Sequence, residues 1–142
     1  MNATLIVDTN VVVSGLITED PEAAVCRILD DMLDGAFAFA LSPHLLSEYR
    51  QVLLRPKLMR YHKRTTGNID RLLQHLVANG VWREPAPGPQ APDLGDNHLW
   101  ALLACIPEAV LITGDRLLLD NPPVFAQVLS PAEFVAQTPP LW

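Results

Sequence analysis

Cysteine is scarce: Cys26 and Cys105 are the only two in 142 residues. They fall in different apolar patterns and form no CxxC pair. That excludes a disulfide scaffold and a thiolate zinc ribbon, and both read as packed, reduced thiols. Long apolar runs are missing too. None approaches the ~18 residues a membrane span needs. The N-terminus lacks a basic leader region, and Asp8 interrupts its first apolar stretch, so no signal peptide is expected. The expected setting is cytoplasmic, with no membrane partner. Charged residues make up only 18% of the chain and apolar ones 49%. A disordered polyelectrolyte is thereby excluded. A net charge of −6 argues against indiscriminate coating of nucleic acid.

The basic residues that exist are concentrated. Arg50, Arg55, Lys57, Arg60, Lys63, Arg64 and Arg71 face only Asp70, a local charge near +6 that leaves the remainder near −12. Such a block is a footprint for phosphate or an acidic partner, or simply a solvated helix face.

What is present is an alternation of short apolar runs and amphipathic stretches. Leu5-Ile6-Val7 reads as a buried strand running into Asp8-Thr9-Asn10. Val11 to Ile17 reads as a turn entering a short helix. Asp20-Pro21 signals the next helix start, with Val25, Ile28, Leu29 and Met32 on one face. Residues 37–41 form a second apolar strand. Ser42-Pro43 opens a helix whose buried face is Leu45, Leu46, Tyr49, Val52 and Leu53; it stops before Arg55-Pro56. Residues 57–64 read as a loop or irregular helix. Thr65-Thr66 caps a helix carrying Ile69, Leu72, Leu73, Leu76 and Val77, and Val81-Trp82 is a weak strand. Residues 84–92 are a proline-rich loop. Asp93-Leu94-Gly95-Asp96 leads into a buried helix at 99–106. Residues 110–113 form a strand ending in Thr113-Gly114-Asp115. Short helices follow at 116–120 and after Ser130-Pro131, with a strand between them at 124–129.

This pattern predicts one domain over residues 1–136, a tail at 137–142, and a three-layer α/β/α sandwich. Its mostly parallel sheet should have four to five strands. In such a sheet the strand C-termini and the following helix N-termini share one edge. Asp8, Glu48, Asp96 and Asp115 are all predicted at that edge. Each alone has a plain reading, as an N-cap, a turn former or a solvated acid. Together they repel unless a cation joins them. Oxygen donors suit Mg²⁺ or Mn²⁺ rather than Zn²⁺. The histidines at 44, 62, 75 and 98 show no metal-ligand spacing and read as surface or packing residues.

Four motifs then occur in order: Val7-Asp8-Thr9-Asn10, the stretch Ser47-Glu48-Tyr49-Arg50-Gln51-Val52-Leu53-Leu54-Arg55-Pro56-Lys57, Asp93-Leu94-Gly95-Asp96, and Ile112-Thr113-Gly114-Asp115. Together they resemble the PIN-domain family, in particular its VapC-like ribonuclease branch, the toxin components of toxin–antitoxin systems. The similarity runs from Leu5 to about Phe134. It implies a Mg²⁺- or Mn²⁺-dependent endoribonuclease, often dimeric, silenced by a co-encoded antitoxin protein. Asp8, Glu48, Asp96 and Asp115 would be its acidic metal-binding and catalytic quartet, with Asn10, Ser14 and Thr113 as hydrogen-bonding support. Many relatives carry a run of acids where this chain has Asp96-Asn97; Asp93 supplies a further acid nearby. Asp96 or Asp115 would orient the attacking water. Arg50, Arg55, Lys57, Arg60, Lys63 and Arg64 would hold the RNA backbone.

The rival from another class is a catalytically inactive PIN-like module that binds protein or RNA. A receiver domain would need an adjacent acidic pair after the first strand. A haloacid-type phosphatase would need an aspartate at position 10, where Asn10 stands.

Overall fold

Residues 3–137 are described in the computed structural model of the chain. Beyond Gln137, the expected tail at 137–142 lies outside the described residues. Five short strands form the centre: β1 (Leu5–Val7), β2 (Ala40–Leu41), β3 (Val81–Trp82), β4 (Val110–Ile112) and β5 (Gln127–Leu129). Every pairing is parallel, β1 with β4, β4 with β5, and β2 with β3. A single bridge, Leu5 to Phe39, joins the two ladders. The strand order is therefore β3-β2-β1-β4-β5. β1 and β4 are buried along their whole length, as continuous apolar runs in a parallel sheet require.

Around the sheet lie α1 (Thr9–Ile17), α2 (Ala24–Leu33), α3 (Pro43–Leu53), α4 (Pro56–His62), α5 (Thr66–Asn79), α6 (Asn97–Cys105), α7 (Arg116–Asp120) and α8 (Pro131–Val135). The chain is an α/β sandwich on a parallel sheet, as the alternation predicts. Local chemistry sets most boundaries. Ser42 accepts from Leu45 N at 3.1 Å, with Pro43 at the first helical position. Thr65 with Asn68, and Ser130 with Glu133, close capping boxes.

Several expectations are corrected. α1 needs no entering turn: Asp8 is itself the N-cap, accepting from Thr9 N at 2.8 Å. Asp20-Pro21 does not start α2. Asp20 instead accepts from Glu22 N at 2.9 Å, closing a turn, and the helix begins at Ala24. The turn satisfies the same side chain a helix would have used. Of 37–41, only Ala40–Leu41 is laddered, because β1 and β2 meet at one bridge and then part. Likewise β5 is confined to 127–129, and Val124 stands fully in solvent. The basic run is ordered: Pro56, at the first helical position, starts α4, and Lys63 ends it in the left-handed region at φ 56°. Cys26 is buried, but Cys105 is exposed, being the last residue of α6. No helix among the described residues is long and apolar enough to cross a membrane.

Gly15 marks the tightest helix contact. A Cβ there would sit 2.7 Å from the Val25 carbonyl and 3.0 Å from Leu29 Cβ. Alanine gains up to about 1 kcal/mol of helix propensity over glycine, but overpacking costs about 1–3 kcal/mol. Gly15→Ala is expected to lower stability by about 1–2 kcal/mol in urea unfolding, against the propensity scale.

The strand order reverses direction at β1. β2 and β3 extend on one side of it, β4 and β5 on the other. A crevice therefore opens beyond the C-termini of β1 and β4, where sheets of this kind bind ligands.

Candidate active site

The crevice is built from the strand ends outward. Asp8 continues the β1–β4 pairing, its N–H donating to Ile112 O at 2.9 Å. Its carboxylate is buried and held by three donors. Thr9 N donates to Oδ1 at 2.8 Å, and the Thr113 hydroxyl and Asn10 Nδ2 donate to Oδ2 at 2.8 and 3.1 Å. The same turn is stitched twice more. Asn10 Oδ1 accepts from Gly114 N at 2.9 Å, and Thr113 Oγ1 accepts from Asp115 N at 3.0 Å. Asp115 then caps α7 by accepting from Leu117 N at 2.9 Å. Asp8 and Asp115 are thus fixed relative to each other by backbone and hydroxyl groups.

Glu48 arrives by another device. Alternation along β1 turns the Val7 carbonyl toward β2, past the point where those strands part. The hydroxyl of Tyr49, on α3, donates to that carbonyl. Burial, and the neighbouring Asp8 and Glu48 charges, hold the phenol well above its ordinary pKa, so it stays a donor. Anchoring Tyr49 brings Glu48, one residue earlier, over the crevice. There Glu48 Oε1 accepts from the Thr9 hydroxyl.

Asp96 ends the 3₁₀ turn Leu94–Asp96 that leads into α6, and its side chain makes no capping hydrogen bond. Burial first, then Asp8, Asp93, Asp115 and Glu48, push its pKa up to about 6. Burial also raises Asp8. Hydrogen bonds from Thr113 and Thr9 oppose that, while Glu48 and Asp115 add to it. The acids therefore sense one another across a cleft of about 530 Å³.

Asp8, Glu48, Asp96 and Asp115 all line this cleft, with Asn10, Ser14, Thr9 and Arg55. Thr113 stands behind Asp8. Asp93 is not among the lining residues; it accepts from Gly95 N at 2.9 Å and shapes the turn. Asn97 is used structurally: its Oδ1 accepts from Ala91 N at 2.7 Å. The structure does not bring all the basic residues to the cleft. Arg50 is drawn across to α5, where it donates to Asp70 at 2.8 and 3.3 Å. Lys57 and Arg60 on α4, and Lys63 and Arg64 after it, are exposed.

Sequence pattern does not single out Thr9 and Tyr49 as site residues, and it places His44 and His98 among surface or packing residues. In the fold, His44 and Glu48 stand one helical turn apart on α3, and His98 comes from α6. Their donor atoms lie within 4.8 Å of one another. His44 is exposed and the His98 side chain buried, in keeping with surface and packing residues; that they gather with Glu48 in space is what sequence spacing does not report. The i, i+4 spacing of His44 and Glu48 is the available signal; the third member is remote in sequence. Burial and His44 hold His98 below its ordinary pKa, against the pull of Glu48. Among the described residues, no three of the four cleft acids gather this tightly.

The family profile of the PIN domain matches residues 4–117. No curated protein and no solved structure matches the chain. The matched stretch spans the first four strands and every acid of the cleft, so the order of motifs along the chain and their meeting in space agree: the chain belongs to the PIN-domain family.

Proposed function

We propose that this protein is a Mg²⁺- or Mn²⁺-dependent endoribonuclease, hydrolysing phosphodiester bonds of RNA. PIN domains are generally nucleases. The observation that carries the reading here is the cleft at the sheet's switch point, where four carboxylates meet and Asp96 is pushed up to about 6. Burial, with the neighbouring carboxylates adding to it, makes ionised Asp96 costly, and a bound cation would relieve that cost.

The donor set fits a hard ion. All four groups offer carboxylate oxygen. Their spacing is wider than a direct cage of three, which suits Mg²⁺, an ion that keeps several waters and takes one or two carboxylates directly. When bound, such an ion polarises the phosphate and makes a coordinated water more acidic. Asp8, immobilised by three donors, and Asp96, free of any cap, would hold it. Glu48 and Asp115 would receive its waters. Asn10 and Thr113 keep Asp8 in one orientation, and Ser14 offers a hydroxyl at the floor of the cleft. Asp96 or Asp115 would accept the proton of the attacking water.

Arg55, on the cleft wall, is placed to meet the backbone phosphate nearest the acids. Lys57, Arg60, Lys63 and Arg64 would extend that contact, and Arg50 less so, being neutralised by Asp70. A single strand bends into such a site more readily than a duplex. The motif resemblance supports the finer reading that the chain is the toxin of a toxin–antitoxin pair, working as a homodimer with a co-encoded antitoxin protein as partner.

End-labelled single-stranded RNA incubated with the protein and Mn²⁺ tests the proposal. Internal cleavage that EDTA abolishes is expected. RNA binding should weaken steeply with salt, with a shallower slope when Arg55, Lys57 and Arg60 are changed to alanine. RNA binding without cleavage would favour the inactive binding module instead.

A further inference from the structure

Beside the acid cleft, and sharing one residue with it, lies a donor group of different chemistry. His44 and Glu48 project from one face of α3, one turn apart. His98 meets them from the first turn of α6. The two imidazole rings stack with centroids 3.9 Å apart and an interplanar angle of 3°. The His98 side chain is only 8% exposed, its Nδ1 has no hydrogen-bond partner, and its Nε2 faces the Glu48 carboxylate. Its Nε2 lies 3.3 Å from Glu48 Oε2, at ion-pair distance. Buried imidazole nitrogens are normally met by a protein group, a water or a metal. Here His44 covers the ring face, Nε2 lies beside Glu48, and both histidines line a cavity of about 500 Å³.

We propose that His44, Glu48 and His98 form a binding site for a borderline transition-metal ion of the Zn²⁺ class, separate from the Mg²⁺ or Mn²⁺ position in the cleft. Two imidazoles and one carboxylate are a zinc donor set with a fourth position open. Imidazole selects against Mg²⁺. The donor atoms, all within 4.8 Å of one another, must draw in, and His44, at an exposed position, must swing off the stack to turn its ring edge to the ion. The cavity against both rings gives the ion a way in. Glu48 faces both sites, one oxygen toward Thr9 and the other toward His98. If the nuclease reading holds, Zn²⁺ bound here therefore withdraws Glu48 from the cleft and lowers activity; binding itself does not depend on that reading.

Calorimetric titration of the chelator-stripped full chain with Zn²⁺ alone tests the site, with no RNA present. The expected result is one equivalent bound, at least 10-fold more weakly by His44→Gln and by His98→Gln, and about equally by Asp96→Asn. Co²⁺ titrated in its place should show ligand-field absorption that both histidine variants lose. His98→Gln alters a buried side chain, so circular dichroism checks its fold. Should that variant unfold, His44→Gln, at an exposed position, decides the test. The proposal is overturned if wild type takes up no stoichiometric Zn²⁺, if His44→Gln binds as wild type does, or if Asp96→Asn alone removes binding.

Discussion

Asp8→Asn is expected to reduce Mn²⁺-dependent RNA cleavage by at least about 100-fold while leaving the fold intact. The size follows from the residue's position. Losing a group that only orients a metal ligand already costs about 10–100-fold, and Asp8 is proposed as a direct ligand. The preserved fold follows from the hydrogen bonds. Asparagine keeps an oxygen to accept from Thr9 N, and its amide can donate to the Thr113 hydroxyl once that hydroxyl turns; Asn10 Nδ2 loses its acceptor, a loss of about 1 kcal/mol that a domain this size survives. Circular dichroism and a urea midpoint near wild type, with cleavage lost, would separate a catalytic from a structural role. Cleavage near wild-type rate would remove Asp8 from the chemistry.

Asp96→Asn is expected to do two opposite things: abolish most cleavage and stabilise the metal-free protein at neutral pH. In the folded chain Asp96 titrates at about 6, against an ordinary value of 3.8. The folded state thus holds this proton more tightly than the unfolded one. Stability from this group is full below about pH 4 and is lost as pH rises from about 4 to 6. Above that window the ionised acid works against folding. Asparagine is nearly isosteric and carries no charge, so it escapes the loss. A gain of roughly 3 °C in melting temperature at about pH 7.5 corresponds to about 1 kcal/mol in a domain this size. The displacement alone would suggest more, but the group is part-exposed and screened by water. At about pH 4 the gain should vanish. Millimolar Mn²⁺ should raise the melting temperature of wild type at neutral pH by mass action, and raise that of Asp96→Asn much less. A variant no more stable than wild type at neutral pH would mean that burial and the neighbouring acids do not work against ionised Asp96.

The legible parts of this site are those where chemistry follows directly on an apolar run. Leu5-Ile6-Val7 and Val110-Leu111-Ile112 can only be buried strands, so Asp8 and Asp115 have to emerge at their ends. The fold class follows from the same alternation. Glu48 is legible as a candidate but not in its direction, because it sits on the shoulder of its helix face. What decides its direction is Tyr49, whose hydroxyl fills a gap where β1 and β2 part, and no local pattern reports that gap. Helix starts mislead for a related reason: Asp20 can close a turn as well as a helix, and tertiary packing chooses the turn. The basic block looks uniform in sequence, yet Asp70, on the following helix, neutralises Arg50 and leaves Arg55 as the cation at the cleft. His98 stays hidden because its meaning comes from His44, which only the folding of α3 against α6 puts beside it.

The most direct measurement is anomalous diffraction from crystals grown with Mn²⁺. An ion in the cleft at ligand distance from a carboxylate oxygen of Asp8 or Asp96, with Glu48 or Asp115 on its waters, is the expected result. Mn²⁺ well occupied elsewhere, with those four acids bare, would contradict the cleft as the seat of a metal-dependent nuclease.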